Sequence, residues 1–424
     1  MSKKILSLLT AALMVFAVFC FAGCEDPDTG SSAASGSKNP DGTSSVADVS
    51  NPTVSKDDFK IGIICLHDEN STYDKNFIDA AKAMQQELGL KDEQVLIKTN
   101  IPESDACETA AMELAEEGCN VIFADSFGQE DFRMSAAMKY PNVQFCHATG
   151  TKAHTAKIPN FHNAFASIYE GRYLAGIVAG LKLNEMIQNG KITAEQAKMG
   201  YVGAMPYAEV KSGYTSFYLG AKSVCPSVTM EVMFTTSWYD EAKEKEYANA
   251  LINDGCVLIS QHADSWGAPT ACEEKGVPNV SYNGSTTDKC PKTALISSKI
   301  NWAPYLVHIS NAVMNGTAIT EEFLGNLEND GVQLTELNTS VAAAGTQEAI
   351  DAAKADIIAG KLHIFNTDTF TVGGKKLDSY KADVDSDANF EKDTEVIKDG
   401  YFHESEYRSA PYFDIDIDGI TIKN

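Results

Sequence analysis

The chain has 424 residues, of which 44% are apolar and 22% charged, so it is long enough for two ordinary domains and too hydrophobic for a disordered polymer. Its 34 Lys and Arg residues stand against 59 Asp and Glu residues, which gives a net charge of −25. This charge repels polyanions, and the longest basic cluster is Lys375-Lys376, so nucleic acid is excluded as a predicted partner and anionic lipid is disfavoured.

The N-terminus has the pattern of an export signal. Lys3-Lys4 precedes an apolar run from Ile5 to Phe21, and small residues follow as far as Cys24. A transmembrane anchor is the alternative, but this run of about 17 residues is at the lower limit for a span of roughly 20. Residues 1–23 are therefore predicted to be a signal peptide. Phe21-Ala22-Gly23-Cys24 resembles a bacterial lipobox, which implies a lipid on Cys24.

From 24 to 56 the composition is dominated by Ser, Gly, Asp, Asn, Pro and Ala. Such a segment has little to bury and is predicted to be a flexible tether. Eight cysteines follow it, most of them within apolar segments: Cys65, Cys107, Cys119, Cys146, Cys225, Cys256, Cys272 and Cys290. An even number in an exported protein is compatible with disulfides, but the apolar settings favour reduced core thiols. Because no C-x-x-C pair occurs, no zinc site is predicted.

A first series of strands alternating with helices begins at residue 59. The predicted strands are 59–66, 95–97, 120–124 and 143–146, and the predicted helices begin near Lys75 and cover Asp105–Glu117 and Glu130–Lys139. Ser104 is predicted to cap the second of these helices. Strands that alternate with helices of this length predict a doubly wound parallel sheet.

A second series follows a long helix, Ile168–Leu183, whose Gly171, Gly176 and Gly180 predict close helix packing. Its predicted strands are 199–203, 230–234, 256–259 and 280–282, and its predicted helices are 210–223, 241–254 and 269–275. The strand 294–297 and the helix 305–314 are predicted to return to the first lobe. We therefore predict an N-terminal lobe of 57–165 plus about 294–325, and a C-terminal lobe of 166–293 plus part of a less regular, acidic section, 326–424.

Ligands of open α/β sheets bind outside the carboxyl ends of the strands. The segments at these ends are rich in aromatic and carboxylate side chains and poor in basic ones: 67–70, 125–128, 147–149, 205–207, 236–239, 262–266 and 283–285. Two of the three tryptophans, Trp238 and Trp266, lie among them. Such a lining suits a flat, neutral ligand that donates hydrogen bonds.

Enzyme signatures are missing from the sequence. Neither G-x-S-x-G nor H-E-x-x-H occurs, no glycine-rich phosphate loop is present, and the strand-end histidines His67, His147 and His262 lack paired metal-ligand spacing. We predict no catalytic residues, no metal and no cofactor. Two alternatives stay open: a nucleoside-processing enzyme that uses strand-end carboxylates, and a sensor or adhesion lipoprotein.

Several motifs resemble the Bmp (basic membrane protein) family of substrate-binding lipoproteins, which includes purine-nucleoside receptors of ABC transporters. These are Asp125-Ser126-Phe127-Gly128, Tyr169-Glu170-Gly171-Arg172-Tyr173-Leu174-Ala175-Gly176, Ser237-Trp238-Tyr239-Asp240 and Gln261-His262-Ala263-Asp264-Ser265, with Tyr282-Asn283-Gly284 and Asn301-Trp302. The resemblance covers Lys60 to about Gly316. It implies a type I periplasmic-binding-protein fold, in which two doubly wound α/β lobes joined by a hinge close over a ligand.

The resemblance also implies a ligand site. Phe127 and Trp238 would stack on a purine from opposite lobes, and Asp264 would accept hydrogen bonds from the base. The remaining implied contacts are Asp68, Tyr73, Phe77, Asp125, Trp266 and Asn283. Alternatives are that Asp125 and Asp264 cap the helices that follow them and that Asn283-Gly284 forms a tight turn. Glu170 and Arg172 are expected to form a structural pair.

One motif departs from the family. Where relatives carry D-K-S-F-N, this chain has Asp74-Lys75-Asn76-Phe77-Ile78, so the family Asn is displaced or lost. The function implied is that of a monomeric solute-binding lipoprotein, anchored outside the cell membrane through Cys24, that captures a purine nucleoside or base and presents it to an ABC permease. A receptor for a sugar or an amino acid is the alternative within the same class.

Overall fold

A computed structural model describes residues 53–424 of the chain, apart from 388 and 390. The predicted signal peptide, the lipidation site Cys24 and residues 24–52 of the predicted tether lie outside the described residues. Within the described part, no helix combines the length and the apolar character needed to cross a bilayer.

The first series of elements forms one sheet with helices packed on it. Its elements are β1 (Ile61–Ile64), α1 (Thr72–Leu88), β2 (Val95–Lys98), α2 (Asp105–Glu116), β3 (Val121–Ala124), α3 (Glu130–Lys139), β4 (Gln144–Ala148), α4 (Ala153–Ala156) and β5 (Phe161–Ala166). Strand β1 is buried along its whole length, as its run of Ile residues predicts. Ser71 caps α1 by accepting from the Asp74 N–H, and Ser104 caps α2, as predicted.

The second series forms another sheet. Its elements are α5 (Ile168–Gln188), β6 (Lys198–Gly203), α6 (Ala208–Val224), β7 (Thr229–Phe234), α7 (Glu241–Asn253), β8 (Leu258–Gln261), α8 (Gly267–Lys275), β9 (Asn279–Tyr282) and β10 (Ala294–Ile300). Helices α5 and α6 pack closely, since a Cβ at Gly176 would lie 2.0 Å from the Phe217 carbonyl oxygen. Gly176 and Gly180 therefore permit the helix contact that their spacing predicts. Gly171 instead faces the side chains of Ser298 and Val332.

The rest of the chain completes both sheets. It contains α9 (Ala303–Asn315), β11 (Glu322–Gly325), β12 (Val332–Leu334), α10 (Thr346–Ile358), β13 (Lys381–Ala382), β14 (Thr394–Glu395), β15 (Ile397–Lys398), β16 (Tyr401–Phe402) and β17 (Ile420–Ile422). Strand β11 joins the first sheet, whereas β12 and β17 join the two edges of the second. Between β12 and β17 the residues that the structure describes form one helix and four two-residue strands, so this section is as irregular as its sequence predicts.

The two sheets share one topology. The first runs β11-β5-β4-β3-β1-β2 and the second β12-β10-β9-β8-β6-β7-β17, with every described pair parallel except β10 and β12. The strand order reverses between β1 and β3 in one sheet and between β6 and β8 in the other, and such reversal points are where open α/β sheets bind ligands. We call each sheet with its helices a lobe. The predicted α/β architecture of two doubly wound lobes is confirmed.

One strand is assigned to the wrong lobe by the sequence. The prediction that 294–297 returns to the first lobe is wrong, because β10 pairs with β9 in the second sheet. The chain crosses back only afterwards, through α9, which packs against α1 and β3. The exact lobe boundaries stay a prediction. All eight cysteines of the described part are buried and free, so their predicted core position is confirmed.

Candidate functional site

A cavity lies between the reversal points of the two sheets, with about 370 Å³ of empty space when its opening to solvent is included. The first lobe contributes Leu66, His67, Tyr73, Asp74, Ser126, Phe127 and Thr149, and the second contributes Glu209, Trp238, His262, Asp264 and Tyr282. None of the described residues that line it is Lys or Arg. The cavity is therefore lined by rings and carboxyl groups from both lobes.

Phe127 and Trp238 approach the cavity from opposite lobes. The Phe127 loop is fixed by Glu103, whose Oε1 accepts from the Ser126 hydroxyl at 2.6 Å and from the Gly128 N–H at 2.8 Å. Tyr207 is close to both rings, with its centroid 5.3 Å from that of Phe127 and 6.0 Å from that of Trp238. Phe127 is 37% exposed and Tyr207 42%, so these rings are available to cover a flat ligand.

Asp264 is the most unusual group in the cavity. It is 5% exposed, and no described residue donates a hydrogen bond to its carboxyl group. Its backbone is well fixed, because its N–H donates to the Trp238 carbonyl at 3.0 Å and its carbonyl accepts from the Thr72 N–H at 2.9 Å. Burial, followed by the charge of Asp74 and of nearby glutamates, raises the pKa of Asp264 well above its usual value. The Asp264 side chain faces the cavity, where a ligand that donates a hydrogen bond would give its carboxyl group a partner.

Asp264 does not cap the following helix. Helix α8 begins at Gly267, and the Gly267 N–H donates to the Ser265 hydroxyl at 3.0 Å. The capping alternative for Asp264 is therefore wrong.

Asp74, in the opposite wall, is buried with its partners in place. It accepts from the His67 N–H at 2.7 Å and from the Ser71 hydroxyl at 2.5 Å. Burial alone would raise the pKa of Asp74, but hydrogen bonds from His67, Asp125 and Ser71 outweigh it and the pKa is lowered. Asp74 thus holds together the turn that begins α1.

Glu209 and His262 form a buried pair at the cavity wall. His262 Nε2 lies 3.1 Å from Glu209 Oε1, and the His262 ring centroid lies 4.4 Å from that of Tyr282. Burial lowers the pKa of His262, and the hydrogen bond with Glu209 opposes that shift. The Tyr282 hydroxyl is buried and has no partner among the described residues.

The lobes contact each other around the cavity. Thr72 at the start of α1 donates to Asp264 of the second lobe through both its N–H and its hydroxyl. Asn76 Nδ2 donates to Asn283 Oδ1 at 3.0 Å, and the rings of His67 and Tyr239 lie 5.5 Å apart. The structure therefore has the lobes closed over the cavity.

Backbone strain is present in the cavity lining. Thr149, which follows β4, has φ of 62°, a conformation that is rare for a β-branched residue. Its hydroxyl donates to the Ala148 carbonyl at 2.6 Å. Strained residues of this kind cluster at functional sites.

Four of the nine predicted contact residues line the cavity, namely Tyr73, Phe127, Trp238 and Asp264. The other five, Asp68, Phe77, Asp125, Trp266 and Asn283, lie outside its lining. Asp68 accepts from the N–H of Asn70 two residues along its own loop, and Lys289 covers the Trp266 ring with its ammonium 3.8 Å from the centroid. Asp68 and Trp266 therefore make their contacts outside the cavity.

Phe77, Asp125 and Asn283 lie behind the cavity. Phe77 is fully buried and stacks on Trp302 at 4.5 Å. Asp125 Oδ1 accepts from the Leu66 N–H at 3.0 Å, which links β1 to β3 rather than capping a helix. Asn283 has φ of 63°, as the predicted tight turn requires, and its side chain bonds to Asn76.

A possible metal-ligand set lies beneath the site. Cys65, Asp74 and Asp125 place one ligand atom each within 4.8 Å of one another, and all three are buried. Burial raises the pKa of both Cys65 and Asp125 well above usual values. Because a metal requires deprotonated ligands, these shifts favour protonated Cys65 and Asp125 side chains beside the Asp74 carboxylate over a metal site.

The expected pair of Glu170 and Arg172 does not form. Glu170 accepts from the Leu327 N–H at 2.8 Å, while Arg172 points into the second lobe and donates to the Tyr201 hydroxyl at 2.8 Å. Two neighbours in the sequence thus face different parts of the protein.

Sequence reasoning also missed lining residues. Glu209 lies in the first turn of α6 rather than directly after a strand, so a search of strand ends passes over it. Tyr282 is the last residue of β9, and His262 directly follows β8. The only signal for Glu209 was its place two residues after Tyr207, itself at a predicted strand end.

The chain matches, over residues 64–362, the family model Bmp, described as ABC transporter substrate-binding protein PnrA-like. It is 35% identical over 238 residues to a purine-binding protein of Brucella abortus, an alignment that covers 56% of this chain and 63% of that protein. It is 31% identical over 262 residues to a putative ABC transporter glucose-binding protein of Haloferax volcanii, covering 60% of this chain and 63% of that one. The matched region thus spans less than two thirds of both relatives.

Among solved structures, an ABC transporter solute-binding protein of Conexibacter woesei superposes with a TM-score of 0.59 at 20% identity, covering 72% of this chain and 98% of that one. This similarity supports the fold, and the predicted type I periplasmic-binding architecture is confirmed.

Proposed function

The chain belongs to the Bmp family of ABC transporter substrate-binding proteins, and from that membership we propose that it is an extracytoplasmic receptor that binds a purine base or purine nucleoside between its two lobes. The family consists of substrate-binding proteins and not of enzymes. The Brucella abortus relative, named as a purine-binding protein, supports the choice of ligand class.

The observation that carries this proposal is the unpartnered carboxyl group of Asp264 in a cavity lined by rings from both lobes. A purine offers flat faces to Phe127 and Trp238 and N–H donors to Asp264. Each aromatic contact adds about 0.5–1.5 kcal/mol beyond area burial, and a hydrogen bond to the Asp264 carboxyl group contributes at least about 0.5–1.5 kcal/mol. These contributions add up only when both lobes contact the same ligand, so binding would stabilise the closed form.

We assign the other predicted contacts supporting roles. Asp125 accepts from the Tyr73 hydroxyl through its carbonyl at 2.9 Å, and the Phe77 ring packs against that of Tyr73 at 5.1 Å. Both would therefore hold Tyr73 in place. Asn283 would stabilise closure through Asn76, while Asp68 and Trp266 would contact a ligand only if the lobes moved from this arrangement.

The cellular setting belongs to the same proposal. We propose that the signal peptide 1–23 is removed, that a lipid on Cys24 anchors the protein, and that 24–56 tethers it outside the membrane as a monomer. The closed form would then be recognised by an ABC permease. Retention of the wild-type chain in the membrane fraction, and its release by Cys24→Ala, are the expected results of fractionation.

A ligand panel tests the proposed function. Thermal-shift measurements on the purified protein would use adenine, hypoxanthine, guanine, adenosine, inosine and glucose, with calorimetry on each ligand that stabilises the fold. We expect purines to raise the melting temperature and glucose to leave it unchanged. Stabilisation by glucose alone would favour a sugar receptor, the second candidate, which the Haloferax volcanii relative supports by its printed name.

A further inference from the structure

Arg172 is fully buried on α5 inside the second lobe, where no carboxylate of the described residues lies within ion-pair distance of it. One of its nitrogens, Nη2, donates to the Tyr201 hydroxyl at 2.8 Å, to Ser260 Oγ at 3.0 Å and to the Gln261 carbonyl at 3.2 Å. The guanidinium carbon also lies 5.3 Å from the centroids of the Tyr201 and Tyr282 rings. A buried cation without a direct counterion needs compensation from dipoles and from more distant charge.

A chain of hydrogen bonds leads from Arg172 towards the cavity and supplies that compensation. A guanidinium can only donate, so the Tyr201 oxygen accepts from Arg172 and its O–H is left to donate. The nearest acceptor is His262 Nδ1, at 3.2 Å. With Nδ1 accepting, the neutral ring carries its proton on Nε2, which then donates to Glu209 Oε1 at 3.1 Å. The direction of every bond in the chain is thereby set by Arg172.

The chain ends on an unused acceptor. His262 occupies one carboxylate oxygen of Glu209, and no described residue donates to the other. The Glu209 side chain is 12% exposed and lines the cavity. The second oxygen is therefore free to accept from a ligand.

The position of the His262 ring is also fixed by its surroundings. A Cβ at Gly213 of α6 would lie 2.6 Å from His262 Nδ1, closer than real Cβ contacts come. The ring thus packs against Gly213, where the helix that carries Glu209 has no side chain. The ring also packs on Tyr282, with centroids 4.4 Å apart.

Resting on the purine receptor proposed above, we propose that Glu209 is a specificity-determining residue, a second acceptor that together with Asp264 selects heterocycles with N–H donors on two separate edges. Arg172, Tyr201 and His262 are positioning residues that orient Glu209. A heterocycle with both donor edges satisfies Glu209 and Asp264 together, whereas one lacking a donor leaves a buried acceptor unpaired.

Glu209→Gln tests the acceptor. The amide keeps an oxygen for His262 but turns a donor towards the ligand, so calorimetry should give at least about tenfold weaker binding of whichever of adenine, hypoxanthine and guanine binds the wild type. Analogues of that base, each methylated at one N–H, locate the contact. For the analogue that lacks the donor to Glu209, wild type and Glu209→Gln should bind equally.

Tyr201→Phe tests the chain of hydrogen bonds from Arg172 through Tyr201 and His262 to Glu209, which we call the relay. The substitution removes one hydroxyl and keeps the ring. His262 Nδ1 then loses its donor, the other tautomer becomes accessible, and binding should weaken about three- to tenfold. In a Glu209→Gln background the same substitution should cause no further loss, because the relay acts only through Glu209. A purely structural effect of Tyr201 would add to that of Glu209.

The outcomes separate the two levels of the proposal. If the wild type binds none of the three bases or their nucleosides, the proposed function fails and this inference fails with it. If the wild type binds but Glu209→Gln binds equally well, only the inference is overturned. Additive losses in the double variant would retain Glu209 as a contact and overturn the relay.

Discussion

The buried carboxyl groups in the two walls of the cavity differ in their hydrogen bonding and in the direction of their pKa shift. In the first-lobe wall, Asp74 accepts from the His67 N–H and the Ser71 hydroxyl, and its pKa is lowered. In the second-lobe wall, Asp264 has no partner among the described residues, and its pKa is raised. Both residues are almost fully buried. Burial alone therefore does not distinguish a structural carboxylate from one available to a ligand, whereas the state of its hydrogen bonds does.

The largest expected effect concerns Asp264. Asp264→Ala removes the acceptor and should weaken purine binding ten- to a hundredfold, since about 1.4 kcal/mol corresponds to a factor of ten. Calorimetry measures this loss. Asp68→Asn is the matched control, because Asp68 lies in a strand-end loop outside the cavity lining, and its affinity should equal that of the wild type. Equal losses in both variants would show that the loss is not specific to Asp264.

Asp74→Asn tests the first-lobe wall. The amide nitrogen would meet either the His67 N–H or the Ser71 hydroxyl, so a buried donor loses its partner and the free energy of unfolding should fall by about 1–3 kcal/mol. Chemical denaturation of the ligand-free protein measures it. Unchanged stability together with lost affinity would instead place Asp74 among the ligand contacts.

Gly213→Ala addresses the packing beneath the second wall. The added methyl group would push against the His262 ring, so purine affinity should fall severalfold through the altered position of Glu209. Calorimetry on Gly213→Ala and on the same change in a Glu209→Gln background is the paired measurement. A loss of equal size in both backgrounds would mean that the methyl group acts by another route.

The smallest effect is a pH dependence of stability. The raised pKa of Asp264 means that the folded protein binds its proton more tightly than the unfolded chain does, so this group's contribution to stability is present in acid and lost as pH rises through the folded pKa. The groups that act on it are Asp74, Glu244 and Glu209. The Asp264→Asn variant has no ionisable group at position 264, so without ligand its melting temperature at neutral pH should exceed that of the wild type. This difference should shrink on acidification. A pH-independent difference in melting temperature would contradict this.

Much of the fold is predictable from the sequence because each strand is a short apolar run followed by a helix with one apolar face. The exception, β10, looks like any other buried strand, and nothing local shows that the chain crosses between lobes after it and not before it. Which sheet a strand joins depends on its partners, and β10 pairs with both β9 and β12.

The strand ends indicated where the site would lie, and the resemblance to the Bmp family indicated which residues would contact the ligand. Phe127 and Asp264 satisfy both criteria, because each lies in a segment that follows a strand at a reversal point, whereas Tyr73 lies in α1 and came from the resemblance alone. Asp125 satisfies both too, but its carboxyl group accepts from the N–H of Leu66, which follows the neighbouring β1, and this contact depends on sheet order. Glu209 does not lie at a strand end, because it belongs to the first turn of α6. Sequence reasoning thus found the rings and Asp264, and missed the second acceptor.

A crystal structure of the complex tests the central claim most directly. The protein would be crystallised with the purine of highest affinity in the panel. We predict that the heterocycle lies between Phe127 and Trp238, with one N–H donating to the Asp264 carboxylate. A purine bound outside this cavity, or one that leaves Asp264 without a hydrogen bond, would contradict the account.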